Sequence, residues 1–262
     1  MNIKIAHDAR PQAKALLAAA ALSLALWFIP YAWVLSYPFQ LFVTFIHEGG
    51  HALAAVLTGN SVQSLSVALD TSGLTETITP VEGSFFSRML ISSAGYIGAI
   101  SFGALLLWLV RMRVKARVIL VGSAVIIAGL TAVFGLLFPL TNFSFSPFTV
   151  VSGAAITLGL LAGAKYLGTA ARNFLVSFLA VQCVLNAVFD LRNVLFASAF
   201  TDAHTDAANM AAVTGVPSVF WVLFWIVVAF VIATLALRAY VTSKEAPSQP
   251  DLPFEDETPL EV

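Results

Sequence analysis

Charge is what this sequence has least of. Only 10% of its 262 residues are charged, while 59% are hydrophobic; a soluble domain carries roughly a quarter charged residues and under half apolar ones. That shortfall excludes an ordinary water-soluble globule. The few charges nearly cancel, with 13 Lys and Arg against 14 Asp and Glu. No basic stripe is therefore available, which excludes nucleic acid as an expected partner. Cysteine is almost missing too. The single Cys183 excludes an intrachain disulfide and any cysteine-based zinc motif, and it is expected to act as a small apolar side chain. No internal repeat is visible.

What the chain does contain is apolar runs. A bilayer core needs about 20 apolar helical residues. Segments near 15–36, 39–58, 86–110, 118–138, 148–168, 173–197 and 217–241 meet that requirement. The expected fold class is thus an all-α polytopic membrane protein with about seven (six to eight) transmembrane helices. Lys4, Arg10 and Lys14 precede the first run as in a signal peptide. The run outlasts the usual signal core and lacks a small-x-small site before Pro30, so an uncleaved anchor is expected. Tyr37 and Pro38 are read as the gap between the first two segments, with a first segment broken at Pro30 as the alternative. Trp27, Trp33, Trp108, Trp221 and Trp225 fall mostly toward segment ends, as interfacial tryptophans do. Gly95, Gly98, Gly103, Gly159 and Gly163 permit close helix packing.

Two stretches break the pattern. Residues 59–85 are polar and partly alternating over Val62–Leu69 and Leu74–Thr79, with Asp70-Thr71-Ser72-Gly73 between them; this predicts a β-hairpin-like loop. From Lys244 onward come Pro247, Pro250, Pro253 and Pro259 and the acidic Glu245, Asp251, Glu255, Asp256, Glu257 and Glu261, a disordered composition. The expected organisation is a basic segment (1–14), a transmembrane domain (15–243) and an acidic tail (244–262). The positive-inside rule gives conflicting votes. Lys4, Arg10 and Lys14 place the N-terminus inside. Arg111, Arg113, Lys115 and Arg117, joined by Lys165, Arg172, Arg238 and Lys244, ask for an even number of crossings before residue 111.

Ionisable residues within apolar spans are costly and point to function. Glu48 and Asp190 are the acidic residues placed inside spans, and two of the four histidines, His47 and His51, flank Glu48. The run Phe45-Ile46-His47-Glu48-Gly49-Gly50-His51-Ala52 contains H-E-x-x-H. On a helix, residues four apart share a face, so both imidazoles can reach one metal ion. Glu48, about 100° round the helix, is free to act as a base beside a metal-bound water. The plainer reading has both histidines bonded to carbonyls and Glu48 paired with a cation.

Catalytic zinc takes three protein ligands and leaves one position open. Asp190 is the leading candidate for the third, against the plainer reading of an ion pair with Arg192 or Arg88. Asn186, four residues before it, could orient a ligand or bind substrate backbone. Competing ligands lie in Thr201-Asp202-Ala203-His204-Thr205-Asp206, where the plainer reading of His204, Asp202 and Asp206 is a solvated helix cap.

With these residues in view, the sequence resembles the site-2 protease family of intramembrane zinc metallopeptidases, as a divergent, small, bacterial-type branch. The resemblance is carried by residues 42–57 and the polar segment that follows. Ser93-Ala94-Gly95-Tyr96 stands where that family has a glycine-containing helix, and Asn186-Ala187-Val188-Phe189-Asp190-Leu191 partly matches its Asn…Leu-Asp-Gly motif, without the proline and final glycine. Metallopeptidases with a downstream glutamate ligand fit less well, because no Glu occurs between Glu82 and Glu245.

The resemblance implies Zn2+ held by His47, His51 and Asp190, Glu48 as general base, a membrane-protein substrate, and residence in a bacterial cytoplasmic membrane. An extended substrate could add to the hairpin edge, at Ser64 or Ser66, where its backbone would be satisfied in a dry setting. Two other classes fit the same residues: a metal-binding or metal-transporting membrane protein, and a non-catalytic member of the fold.

Overall fold

The computed structural model describes residues 10–78, 85–201 and 205–241. The acidic tail, Lys4, Asp202, His204 and Lys244 lie outside the described residues, as do the side chains of Trp27 and Trp33. The elements are α1 (Arg10–Phe28), α2 (Trp33–Leu57), β1 (Ser61–Val67), β2 (Gly73–Ile78), α3 (Phe85–Arg111), α4 (Ala116–Leu130), a π-helical turn (Thr131–Leu137), α5 (Phe138–Asn142), α6 (Pro147–Tyr166), α7 (Thr169–Phe200), α8 (Asp206–Thr214) and α9 (Ser218–Val241). The chain is an all-helical, multi-pass membrane protein with a single hairpin among its described residues. Large apolar side chains stand on its outside, among them Val125, Leu158 and Phe230, where lipid rather than water is the solvent.

Five helices are long and apolar enough to cross a membrane: Phe85–Arg111, Ala116–Asn142, Pro147–Tyr166, Thr169–Phe200 and Ser218–Tyr240. That is fewer than the seven expected, and the difference lies at the start. Within α1 the described residues Lys14–Leu26 form a shorter apolar helix, and α2, though 25 residues long, carries Gln40 and the H-E-x-x-H group. The break between them is also displaced. It falls at residues 29–32, around Pro30 and a left-handed Tyr31 (φ 63°), while Pro38 lies inside α2. In the span Ala116–Asn142 the π-helical turn ends just before Pro139, and the Phe138 N–H reaches back to Val133 O. Proline cannot accept the ordinary register, so the helix widens ahead of it.

Glycines set how closely the helices approach. A Cβ on Gly50 would strike the carbonyl oxygen of Ala94, so α2 and α3 cross with their backbones in contact. Gly103 meets Ala180 and Cys183 on α7 in the same way, and Gly153 on α6 meets Thr131. Cys183 is fully buried, the apolar role its sequence context suggests. Trp225 departs from the interfacial pattern: it is fully buried, packed at 5.3 Å on Tyr96 with its Nε1–H donated to Ser93 Oγ.

The hairpin forms where the alternation placed it. β1 and β2 are antiparallel, Val67 opposite Gly73 and Ser61 opposite Ile78, with an irregularity between Val62 and Ser64. Its sides differ. β1 is packed into the bundle: the Val67 N–H donates to Thr149 Oγ1, and Gln63 O accepts from Asn142 Nδ2. The edge expected at Ser64 and Ser66 is therefore not the open one. Ser64 is buried, its hydroxyl donating to Glu76, and the free edge belongs to β2.

Most of the basic residues share one end of the bundle. Gly153 meets Thr131 and Gly135 meets Thr149, so α6 runs antiparallel to the span Ala116–Asn142. Lys165 and Arg172 consequently lie level with the Arg111–Arg117 connection. Tyr240, beside Arg238 on α9, faces Arg111 and Ser177, which brings the end of α9 there too. The hairpin, joining α2 to the start of α3, is at the opposite end.

Candidate metal centre

The H-E-x-x-H run is helical, as its spacing requires. His47 and His51 sit one turn apart on α2 with Nε2 atoms 3.1 Å from each other. Their rings are positioned from outside the helix. His51 Nδ1 lies 2.6 Å from Ile91 O on α3; a proton held on Nδ1 leaves the Nε2 lone pair free for a metal, the usual arrangement for a ligating histidine. The His47 ring packs edge-on against Tyr96 at 4.6 Å, and Trp225 backs Tyr96. Gly95 underlies both rings, because a Cβ there would collide with Nε2 of His47 and of His51. The Ser93-Ala94-Gly95-Tyr96 run thus supplies clearance through its glycine and a wall through its tyrosine.

The third group is Asp206. Its Oδ2 is 3.6 Å from His47 Nε2 and 3.3 Å from His51 Nε2. His47, His51 and Asp206 are the one group of three potential ligands found among the described residues, with ligand atoms all within 4.8 Å. Asp190, the leading sequence candidate, lines the same cavity but is not in that group. The physical reason is the route of the chain. α7 carries Asp190 past the histidines, and the short α8 folds back so that its first residue points at them. Thr205 is the actual cap of α8, its hydroxyl accepting from the Ala208 N–H, which leaves the Asp206 carboxylate free for the imidazoles. Burial alone would raise the Asp206 carboxyl, but the two histidines outweigh it and hold the group below the usual carboxylate range. Arg192, one proposed partner for Asp190, instead donates to Asn193 and lies over the Phe189 ring.

The donor set fits a zinc-like ion. In a tetrahedral site with bonds of ~2.0–2.1 Å, ligand atoms stand about 3.4 Å apart. The observed separations of 3.1, 3.3 and 3.6 Å are close to three edges of that tetrahedron.

Glu48 is buried next to this triad and is fixed by the hairpin. The Thr75 hydroxyl lies 2.8 Å from Glu48 Oε2 and 3.0 Å from Glu48 O. Gly73 approaches so closely that a Cβ would stand 2.5 Å from Glu48 Oε1. Sequence reasoning assigned Gly73 only to a turn and gave Thr75 no role; neither has a chemical signature of its own, since each acts by proximity across the fold. Asn186 is not at the site. Its amide donates to Gln182 O and Oε1, and it does not border the cavity.

The cavity holds about 880 Å³ and is bounded by the triad, Glu48, the β2 residues Gly73 to Thr77, and Arg88.

The matched family agrees with this geometry. A family model described as Peptidase M50B-like matches residues 16–236, while neither a curated protein nor a solved structure matches the chain. The match spans the bundle, the hairpin and all three members of the triad. The chain belongs to the Peptidase M50B-like family, and with it to the site-2 protease group of membrane metallopeptidases.

Proposed function

We propose that the protein is an intramembrane zinc metallopeptidase that hydrolyses peptide bonds in or near the transmembrane segments of other membrane proteins. The observation that carries this reading is the placement of Glu48 beside the His47, His51 and Asp206 donors, in a cavity that also exposes the edge of β2. Simple metal storage has no use for a buried carboxylate held next to the ligands by Thr75 and Gly73.

His47, His51 and Asp206 are the proposed zinc ligands, with Asp190 a nearby acidic neighbour. Zinc bound there would polarise the scissile carbonyl and make water acidic enough to ionise near neutral pH. Glu48 takes the proton as the water oxygen bonds to the carbonyl carbon. It then delivers that proton to the amide nitrogen as the C–N bond breaks. The Thr75 hydroxyl keeps the carboxylate oriented between the two transfers.

The hairpin addresses the substrate's backbone. A transmembrane helix conceals its peptide groups in its own hydrogen bonds and must unwind before attack. The ladder beginning with the Ala68 N–H to Ser72 O bond alternates, so Gly73, Thr75 and Thr77 turn their backbone groups away from β1. An unwound segment pairing with that edge is satisfied and held alongside Glu48. The basic end of the bundle faces the cytoplasm in this reading, and a bacterial cytoplasmic membrane is the proposed location.

Glu48→Gln, purified and reconstituted with a panel of single-span membrane proteins, is the deciding experiment. The variant should keep its zinc and lose cleavage by about 10²–10⁴-fold. Undiminished cleavage, or the absence of any cleavage by the wild type across the panel, would overturn the assignment.

A further inference from the structure

A second cavity lies away from the metal centre and is of opposite character. It is a groove of about 750 Å³ between α2, α6 and α7, with almost wholly apolar walls that include Phe42, Phe148, Ile156 and Leu179. Along α6 it runs from Phe148 to Leu167. Gly159 opens it at mid-height: a Cβ built there meets nothing within 4 Å. Walls of this kind suit a hydrocarbon chain.

One end of the groove is positively charged. Tyr166 borders it, and the Lys165 ammonium stands over the Tyr166 ring at 5.0 Å. Leu175 also borders it, and Arg172 lies three residues before Leu175 on the same face of α7. Arg172 is half-buried there, and its guanidinium stays charged in any protein setting, so an oxygen-rich anion at this end meets a fixed positive charge. Gly168, preceding α7, supplies no side-chain cap, so unbonded N–H groups of the first turn sit at the same end. This is also the end where Arg111, Arg113, Lys115, Arg117 and Arg238 gather. Cytoplasmic leaflets are anionic, and basic pockets between helices on that side take phospholipid head groups.

We infer that this groove is a binding site for an anionic phospholipid, with its phosphate on Lys165 and Arg172 and an acyl chain along α6. Charge complementarity selects the head group and the apolar walls select the chain, so neither a soluble phosphate nor a zwitterionic lipid meets both halves. The site is separate from the metal centre and does not depend on the peptidase reading.

The test uses the purified full-length protein in detergent, titrated with fluorescent phosphatidylglycerol or phosphatidylcholine of the same chain length. Two cations near a head group at ~1 kcal/mol each give about a 30-fold preference for phosphatidylglycerol. Lys165→Gln with Arg172→Gln should erase that preference. Gly159→Leu, which fills the groove and favours the helix, should weaken phosphatidylglycerol binding with both cations intact. Inorganic phosphate should not displace the labelled lipid. Size-exclusion profiles and zinc content matching the wild type show each variant to be folded. Equal affinity for the two lipids, a preference surviving in the double variant, or displacement by phosphate overturns the proposal. Unchanged binding by Gly159→Leu also overturns it, since the groove would then belong to another occupant such as a transmembrane helix.

Discussion

The carboxylate of Asp206 stands 3.3 Å from Nε2 of His51, although the two residues come from opposite parts of the chain. α8 is a nine-residue helix whose first residue brings a carboxylate to a pair of imidazoles presented by α2. The relationship separates the two acidic candidates for the third ligand by experiment.

Asp206→Ala should lose metal, and Asp190→Asn should keep it. Removing a residue that merely supports a ligand costs about 10–100-fold in affinity, so loss of a ligand should exceed that range. Metal content of the purified variants by mass spectrometry decides it. Stoichiometric zinc in Asp206→Ala, with loss in Asp190→Asn, would reverse the assignment.

Gly95→Ala should empty the site while leaving the bundle intact. The added methyl has no room beneath His47 and His51, yet alanine favours a helix over glycine by ~1 kcal/mol. The expected result is metal loss with thermal unfolding little changed. Retained metal in a folded protein would mean the imidazoles do not converge over Gly95.

Thr75→Val should slow cleavage without affecting metal. It removes the hydroxyl that holds Glu48 and keeps the β-branched shape. One hydrogen bond to a charged group contributes ~1.5–3 kcal/mol, which corresponds to a fall in kcat of roughly 10–150-fold. Thr75→Ser should recover most of the rate. Equal rates for the valine and serine variants would remove Thr75 from the positioning of Glu48.

Thr77→Pro should impair cleavage of full transmembrane substrates more than zinc binding, because it blocks the outward edge of β2. Cleavage kinetics on a reconstituted substrate, set beside zinc content, measure both. Normal cleavage with the proline in place would show that substrate does not pair with this edge.

Much of this protein is readable in its residues. Scarcity of charge announced a membrane protein, and five of the seven apolar runs are helices of spanning length. The alternation, over its described residues 62–78, is a hairpin, and His47, Glu48 and His51 stand out because one helix presents all three at short range. The misreadings share a cause. Of the two breaks that the sequence offers, Pro38 lies near the start of α2 and is tolerated there, while the chain turns at the alternative, Pro30. Trp225 was assigned to the interface by its distance from a segment end, whereas the packing of α9 on α3 buries it behind Tyr96. Ser64 looked like a strand edge because alternation reveals which residues share a face and not which edge a neighbour covers.

The sequence by itself determined the solvent, the elements and the helix-borne half of the metal centre, because periodicity and transfer free energy act within a few turns of chain. The tertiary structure alone decided that Asp206 comes to the two histidines, that Gly95 makes room for their rings and Gly73 for Glu48, and that β2 offers the free edge. Those outcomes depend on which backbones meet, and close approach between distant segments leaves no local pattern in the residues that permit it.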